Sequence, residues 1–207
     1  DDGLAECGKY KNRGRDLVET IRQIQRRGLM VSAGFIVGFD SDPPGIFQQQ
    51  IKFIQNSGIV TAMVGILNAP AGTRLFNRLK SEKRLVDRVS GDNMDCSTNF
   101  IPRMDYQNLV NGYRDILKTI YSQNGYYERI KTFLREYKAP KERKERVSLA
   151  DLLTLVRLTW ALGIREKGKR YFWKLFFLSL FRYPQRFPLA MTMAVYGFHF
   201  RQIAVNM

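Results

Sequence analysis

The chain is poor in metal-binding side chains. Its 207 residues include two cysteines, Cys7 and Cys96, and one histidine, His199. The cysteines are too far apart for a CxxC pair, and a zinc centre needs several closely spaced ligands. A zinc site and a dithiol redox centre are therefore not expected. Nothing demands a disulfide, and free thiols in a cytoplasmic setting are the simpler expectation. No apolar run reaches the roughly 20 residues that span a bilayer. The opening stretch, DDGLAECGKY, lacks a basic-then-apolar pattern, so no secretory peptide is expected. Acidic residues are few: 19 Asp and Glu stand against 34 Lys and Arg, a net charge of +15. From Lys138 onward the count is 14 basic against 4 acidic. The last third thus carries most of the excess, which suits an anionic partner surface.

What is present is globular: 44% hydrophobic and 26% charged residues exclude disorder. Two segments of the first third match. RRGLMVSAGFIVGFDSDPPG (Arg26 to Gly45) and NSGIVTAMVGILNAPAGT (Asn56 to Thr73) each read as helix end, glycine stop, strand, then loop. Gly14–Arg27 predicts a helix with Leu17, Val18, Ile21 and Ile24 on one face. Leu29–Val37 and Ile59–Leu67 read as buried parallel strands. Between them lies a helix with Ile46, Phe47, Ile51 and Ile54 in register, preceded by Pro43 and Pro44. Tandem helix–strand units build α/β barrels and wound sheets, which place chemistry at the carboxyl ends of strands. The loops Phe39–Gly45 and Asn68–Thr73 are thus the first places to look for function.

The remainder reads as helical. Thr73–Ser81 predicts a short basic helix, with Gly72 and Thr73 ending the loop and capping it. Arg84–Ile101 is polar and irregular, with a turn signal in SGDNMD. Asp105 caps a helix bearing Leu109, Val110, Tyr113, Ile116, Leu117 and Ile120. Asn124-Gly125 predicts a break before Tyr126–Tyr137. The charged stretch KAPKERKER marks a candidate boundary. Ser148 caps a helix through Leu162, Gly168–Arg182 is aromatic and basic, Tyr183–Pro184 interrupts, and Phe187–Val205 forms a last apolar helix.

GFIVGFDSD carries a recognisable pattern. Gly34-x-Ile36-x-Gly38, followed by Asp42, resembles the fifth-strand glycine motif of radical S-adenosylmethionine enzymes. LNAPAGTRLF after the second strand resembles the sixth strand and its loop. LAECGKYKNRGRDL, NFIPRMD and the YYERIKTFLREY stretch resemble the subgroup with an N-terminal cobalamin-binding domain, which includes the hopanoid-methylating enzymes. The resemblance implies an α/β fold: the C-terminal part of a partial (β/α) TIM-like barrel followed by an all-α helical extension. Residues 1–82 would supply the last βα units, 83–140 a linker and helical domain, and 141–207 a basic, aromatic extension. The cofactors implied are S-adenosylmethionine and, in the parent protein, an iron–sulfur cluster and cobalamin. The family's CxxxCxxC motif is absent, so this chain is expected to be a fragment that is inactive alone. Its expected partners are the N-terminal barrel and cobalamin-binding domains.

The same resemblance places Gly34, Ile36, Gly38, Asp42, Asn68 and Ala69 at the adenosine of the cofactor. Each has a plainer reading. Gly34 would relieve strand–helix crowding, Gly38 would make a turn, Asp42 would cap a helix, and Asn68-Ala69 would form a structural turn. Cys7 reads as structural or incidental, and His199 as an ordinary packed or interfacial histidine. Cys96, Asp92 and Asn93 lie in a loop that either faces substrate or is merely solvated. The stretch 167–200 reads either as a peripheral membrane contact, on the inner face of the membrane, or as packing surface. No RNA-binding motif is present and no nucleic-acid partner is expected. The competing functional class is a non-catalytic basic helical module that docks on a membrane or partner protein.

Overall fold

The computed structural model describes residues 16–86, 96–139 and 148–205. Cys7, the LAECGKY segment, Asp92, Asn93 and most of KAPKERKER lie outside them. Helix α1 (Leu17–Arg26) opens with the Asp16 carboxylate accepting the Glu19 N–H at 3.0 Å. It ends at Gly28, whose φ of 83° suits a residue without a Cβ. Strand β1 (Ser32–Val37), α2 (Ile46–Ser57) and β2 (Thr61–Ile66) follow. The two strands pair in parallel, Ser32 opposite Thr61 through Val37 opposite Ile66. Then come α3 (Arg74–Ser81), α4 (Tyr106–Ile120), α5 (Gln123–Glu136) and α6 (Leu149–Trp160). A π turn (Ala161–Arg165), α7 (Lys169–Arg182), a 3₁₀ turn (Pro184–Arg186) and α8 (Phe187–Val205) complete the chain.

The fold is mostly helical, and its sheet has two strands among the described residues. The α/β reading stands at that level. β1 starts at Ser32 rather than Leu29, and Leu29 and Met30 are exposed. The strands are also not buried on both faces, as a parallel sheet inside a barrel would be. Ala33, Phe35, Val37, Ala62, Val64 and Ile66 pack against helices; Phe35 meets Phe53 of α2 edge-on at 5.9 Å. Ser32, Gly34, Ile36 and Met63 are exposed on the other face.

The caps expected at Thr73, Asp105 and Ser148 are present. Thr73 accepts the Phe76 N–H at 3.1 Å and Asp105 the Asn108 N–H at 2.9 Å. Ser148 forms a reciprocal box with Asp151. Asn124-Gly125 does not break the chain. Ser122 caps α5 one residue earlier, so both lie in its first turn. A Cβ at Gly125 would sit 2.5 Å from the Thr119 carbonyl oxygen, a close approach only glycine permits.

One hydrophobic cluster unites the α2–β–α4 layer with α5, α7 and α8. Every apolar position foreseen on α4 is buried. Arg129 of α5 is fully buried between the Tyr121 and Tyr126 rings, its guanidinium 5.3 and 5.1 Å from their centroids. Its Nη2 donates to the Val60 carbonyl. Desolvation lowers its pKa to about 10.

Candidate functional site: the open face of the strand pair

The exposed face of the sheet borders a cleft of about 730 Å³. Gly34, Ile36, Met63 and Gly65 line it from the strands, Asn68 from just past β2, Tyr121 from the C-cap of α4, and Phe200 and Ile203 from α8. In register, Gly34 lies opposite Met63 and Ile36 opposite Gly65, so small and large residues alternate across the two strands. A Cβ added at Gly34 or Gly65 would meet nothing within 4 Å. That corrects the crowding explanation for Gly34: it faces open space, not a helix. Glycine inside a strand weakens it, so these two positions are not explained by packing within the described residues. They leave bare backbone facing the cleft.

At the carboxyl end of β1, Gly38 takes φ 101°. The Asp42 carboxylate folds back to accept the Gly38 and Phe39 N–H groups at 2.7 and 3.0 Å. Asp42 therefore closes the turn after the strand, while Gly45 occupies the N-cap of α2. The helix-cap reading of Asp42 is corrected accordingly. A Cβ on Gly38 would approach the Leu109 methyls at 3.2 Å, so this corner is tight as well as left-handed.

At the end of β2, Asn68 borders the cleft and Ala69 is fully buried beneath it. Both are clamped by a segment that sequence reading left irregular. The Asn68 side chain accepts the Asn99 N–H at 3.0 Å. Asn99 in turn bonds both polar groups of the Ala69 backbone, and Thr98 donates to the Leu67 carbonyl at 2.7 Å. Leu85 and Phe100 form an antiparallel bridge that holds the segment in place. Cys96 is buried at its start with φ 61°, and its carbonyl accepts the Tyr106 hydroxyl. It is neither solvated nor in the cleft. His199 is exposed on α8 with its ring against Phe200.

Of the six residues singled out from sequence, Gly34, Ile36 and Asn68 come together at the cleft. Gly38 and Asp42 form the turn at its rim, and Ala69 lies behind it. Sequence reading missed Tyr121, Phe200 and Ile203, which come from helices far along the chain. The Tyr121 hydroxyl donates to the Ala62 carbonyl at 2.6 Å, and burial raises its pKa, which keeps it a neutral donor. It also missed Asp40. That carboxylate, 8% exposed, takes two bonds from Arg84 at 2.7 and 2.8 Å and one from Arg78 at 3.2 Å. Hydrogen bonding from Arg84 holds Asp40 below the usual carboxylate range. The loop was legible as important, but which acid would meet arginines of α3 and of the segment after it was not.

Helices on one face of a parallel strand pair, with glycines and a turn at the carboxyl end of the other, define a βα unit with a strand-end site. Residues 73–207 match the DUF4070 model, a domain of unknown function, and the chain belongs to that family, whose domain follows the B12-binding radical SAM region. An uncharacterized methyltransferase of Synechocystis sp. is 29% identical over 205 residues, covering 98% of this chain and 38% of the relative. The hopanoid C-2 methylase of Rhodopseudomonas palustris is 27% identical over 173 residues, covering 80% of this chain and 32% of the relative. The chain therefore spans about a third of the length of the curated relatives it matches. No solved structure matches it significantly.

Proposed function

We propose that this chain supplies one wall of the S-adenosylmethionine and substrate cavity of a radical S-adenosylmethionine methylating enzyme. The open glycine face carries the reading. Gly34 and Gly65 expose strand backbone to the cleft, and no atom of the described residues needs that space. A nucleoside laid on the face could approach the backbone closely and pair with its polar groups. Asn68 stands at the carboxyl end of the same strands. The two relatives named as methylating enzymes support the reaction class.

The residues fit the organic part of such a cofactor. Among the described residues no three His, Cys, Asp or Glu side chains gather as a ligand set. On this reading the iron–sulfur cluster and cobalamin belong to other parts of a longer protein, in keeping with a chain that spans about a third of its relatives. In the family it resembles, the bound cofactors supply a carbon-centred radical that takes a substrate hydrogen, and a transferable methyl group. The part left to this chain is to orient the adenosine and shape the substrate wall. Ile36, Met63, Phe200 and Ile203 make that wall apolar.

The test uses the full-length protein containing this segment. Gly34→Val should lower S-adenosylmethionine affinity at least tenfold in equilibrium dialysis, because the side chain fills the space left for the ligand. The thermal midpoint should stay unchanged, because a Cβ there meets no atom of the described residues. Unchanged affinity in a folded variant would sink the proposal.

A further inference from the structure

Helix α6 (Leu149–Trp160) has no buried residue. Leu149, Leu152, Leu153, Val156 and Trp160 are between 53% and 82% exposed, and Ile164 in the π turn is 51% exposed. At 100° per residue the five helical positions fall within one stripe. Leu155 and Leu158, on the other side, pack against the core and fix which way the stripe faces. It points away from the protein. The stretch 167–200 is mixed: Phe172, Leu175, Ala190, Met191 and Met193 are buried, whereas Phe177, Leu180, Phe181, Val195 and Tyr196 are exposed.

The charge around the stripe has one sign. Residues 148–205 contain nine Lys or Arg and two acids. Of those acids, Asp151 falls on the far side of α6, locked in its box with Ser148, and Glu166 pairs with Arg201. Arg157 and Arg165 are exposed beside the stripe, and Lys167, Lys169 and Arg170 follow directly. Among the described residues no helix is long and apolar enough to cross a membrane. A short helix with a bare apolar stripe, flanking arginines and a tryptophan suits the boundary between lipid head groups and acyl chains.

We propose that α6 and its π turn dock this domain on an anionic lipid surface. The helix lies in the plane of the interface with Leu152, Val156 and Trp160 turned into it and Arg157 and Arg165 at the phosphates. The inference stands apart from the cofactor reading, since none of these residues borders the cleft.

The chain has two tryptophans, and the indole N–H of the other, Trp173, donates to the Gly163 carbonyl at 2.9 Å. Both indoles emit, so the part of the emission change that Trp160→Phe abolishes is the part that reports Trp160. Mixing the 207-residue chain with phosphatidylglycerol–phosphatidylcholine vesicles should shift its emission to the blue and make it quenchable by brominated lipid. Pure phosphatidylcholine should do so far less. The shift should vanish in Trp160→Phe. A Leu152→Glu/Val156→Glu variant should sediment with vesicles at least tenfold more weakly, with its circular dichroism unchanged because both sites are exposed. Arg157→Gln/Arg165→Gln should bind several-fold more weakly and with less salt dependence. Undiminished binding by the glutamate variant, or no shift with anionic vesicles, overturns the proposal. Trp160 emission already blue and shielded without lipid, in this chain or in the longer protein, also overturns it, since another polypeptide surface would then cover the stripe.

Discussion

Asn99 grips the backbone of Ala69 with both ends of its carboxamide: Nδ2 donates to the Ala69 carbonyl at 2.7 Å, and Oδ1 accepts the Ala69 N–H at 2.8 Å. Ala69 is fully buried, so these groups have no water to fall back on. Asn99→Ala should destabilise the protein by about 2–4 kcal/mol, the cost of two buried bonds and two orphaned partners. Urea unfolding measures this. Asn99→Asp keeps the acceptor, loses the donor and sets a carboxylate against a carbonyl, so it should be no better tolerated.

Asp40 should tie stability to acid pH. Its folded-state pKa lies below the unfolded value of about 3.9. The stabilisation is complete above that value and is lost as the pH falls through the folded-state pKa. Wild type should therefore lose stability on acidification below about pH 4 more steeply than Asp40→Asn. At neutral pH Asp40→Asn should be the less stable protein, since Arg84 is 15% exposed and would lose its principal partner. Denaturation midpoints from pH 2 to pH 7 check both.

Two glycines should answer oppositely to alanine. A Cβ at Gly197 of α8 would overlap the ring of Tyr126, which is buried and whose hydroxyl donates to the Met193 carbonyl at 2.9 Å. Gly197→Ala should cost about 1–3 kcal/mol by forcing α5 and α8 apart. Gly34→Ala meets no atom of the described residues and should leave stability within about 0.5 kcal/mol of wild type. Thermal melts of the pair separate a glycine kept by packing from one that packing does not explain.

Arg129 is a buried charge facing rings rather than a carboxylate, and its Nε and Nη1 are buried without a hydrogen-bond partner among the described residues. Methionine has similar length without the desolvation cost. Arg129→Met should fold and fall within about 1 kcal/mol of wild type or above it in urea. A loss of several kcal/mol would mean the guanidinium is better satisfied than its surroundings indicate.

Local chemistry was legible from the residues alone. Gly28 and Gly58 had to end helices, as their left-handed φ values of 83° and 69° record. Thr73, Asp105 and Ser148 had to begin helices, because each can accept an orphan N–H one turn on. The apolar spacing of α4 and the parallel strand pair followed from periodicity and loop length. What periodicity cannot state is which face of an element another will cover. Both strands read as buried throughout, yet one face carries a cleft. The segment of α6 read only as a helix capped at Ser148, with no sign that its apolar stripe is bare. The cleft joins Gly34 to Phe200 and Ile203 across more than 160 residues, and the clamp on Ala69 comes from a polar stretch with no regular pattern. Those contacts depend on long-range packing, with no signature at short range. Capping and turn chemistry act over three or four residues, so the residues alone mark most helix ends; the start of β1 and the run through Asn124-Gly125 are the exceptions. Which surfaces stay open follows from packing between distant elements, and the open glycine face and the bare α6 stripe are where function is proposed.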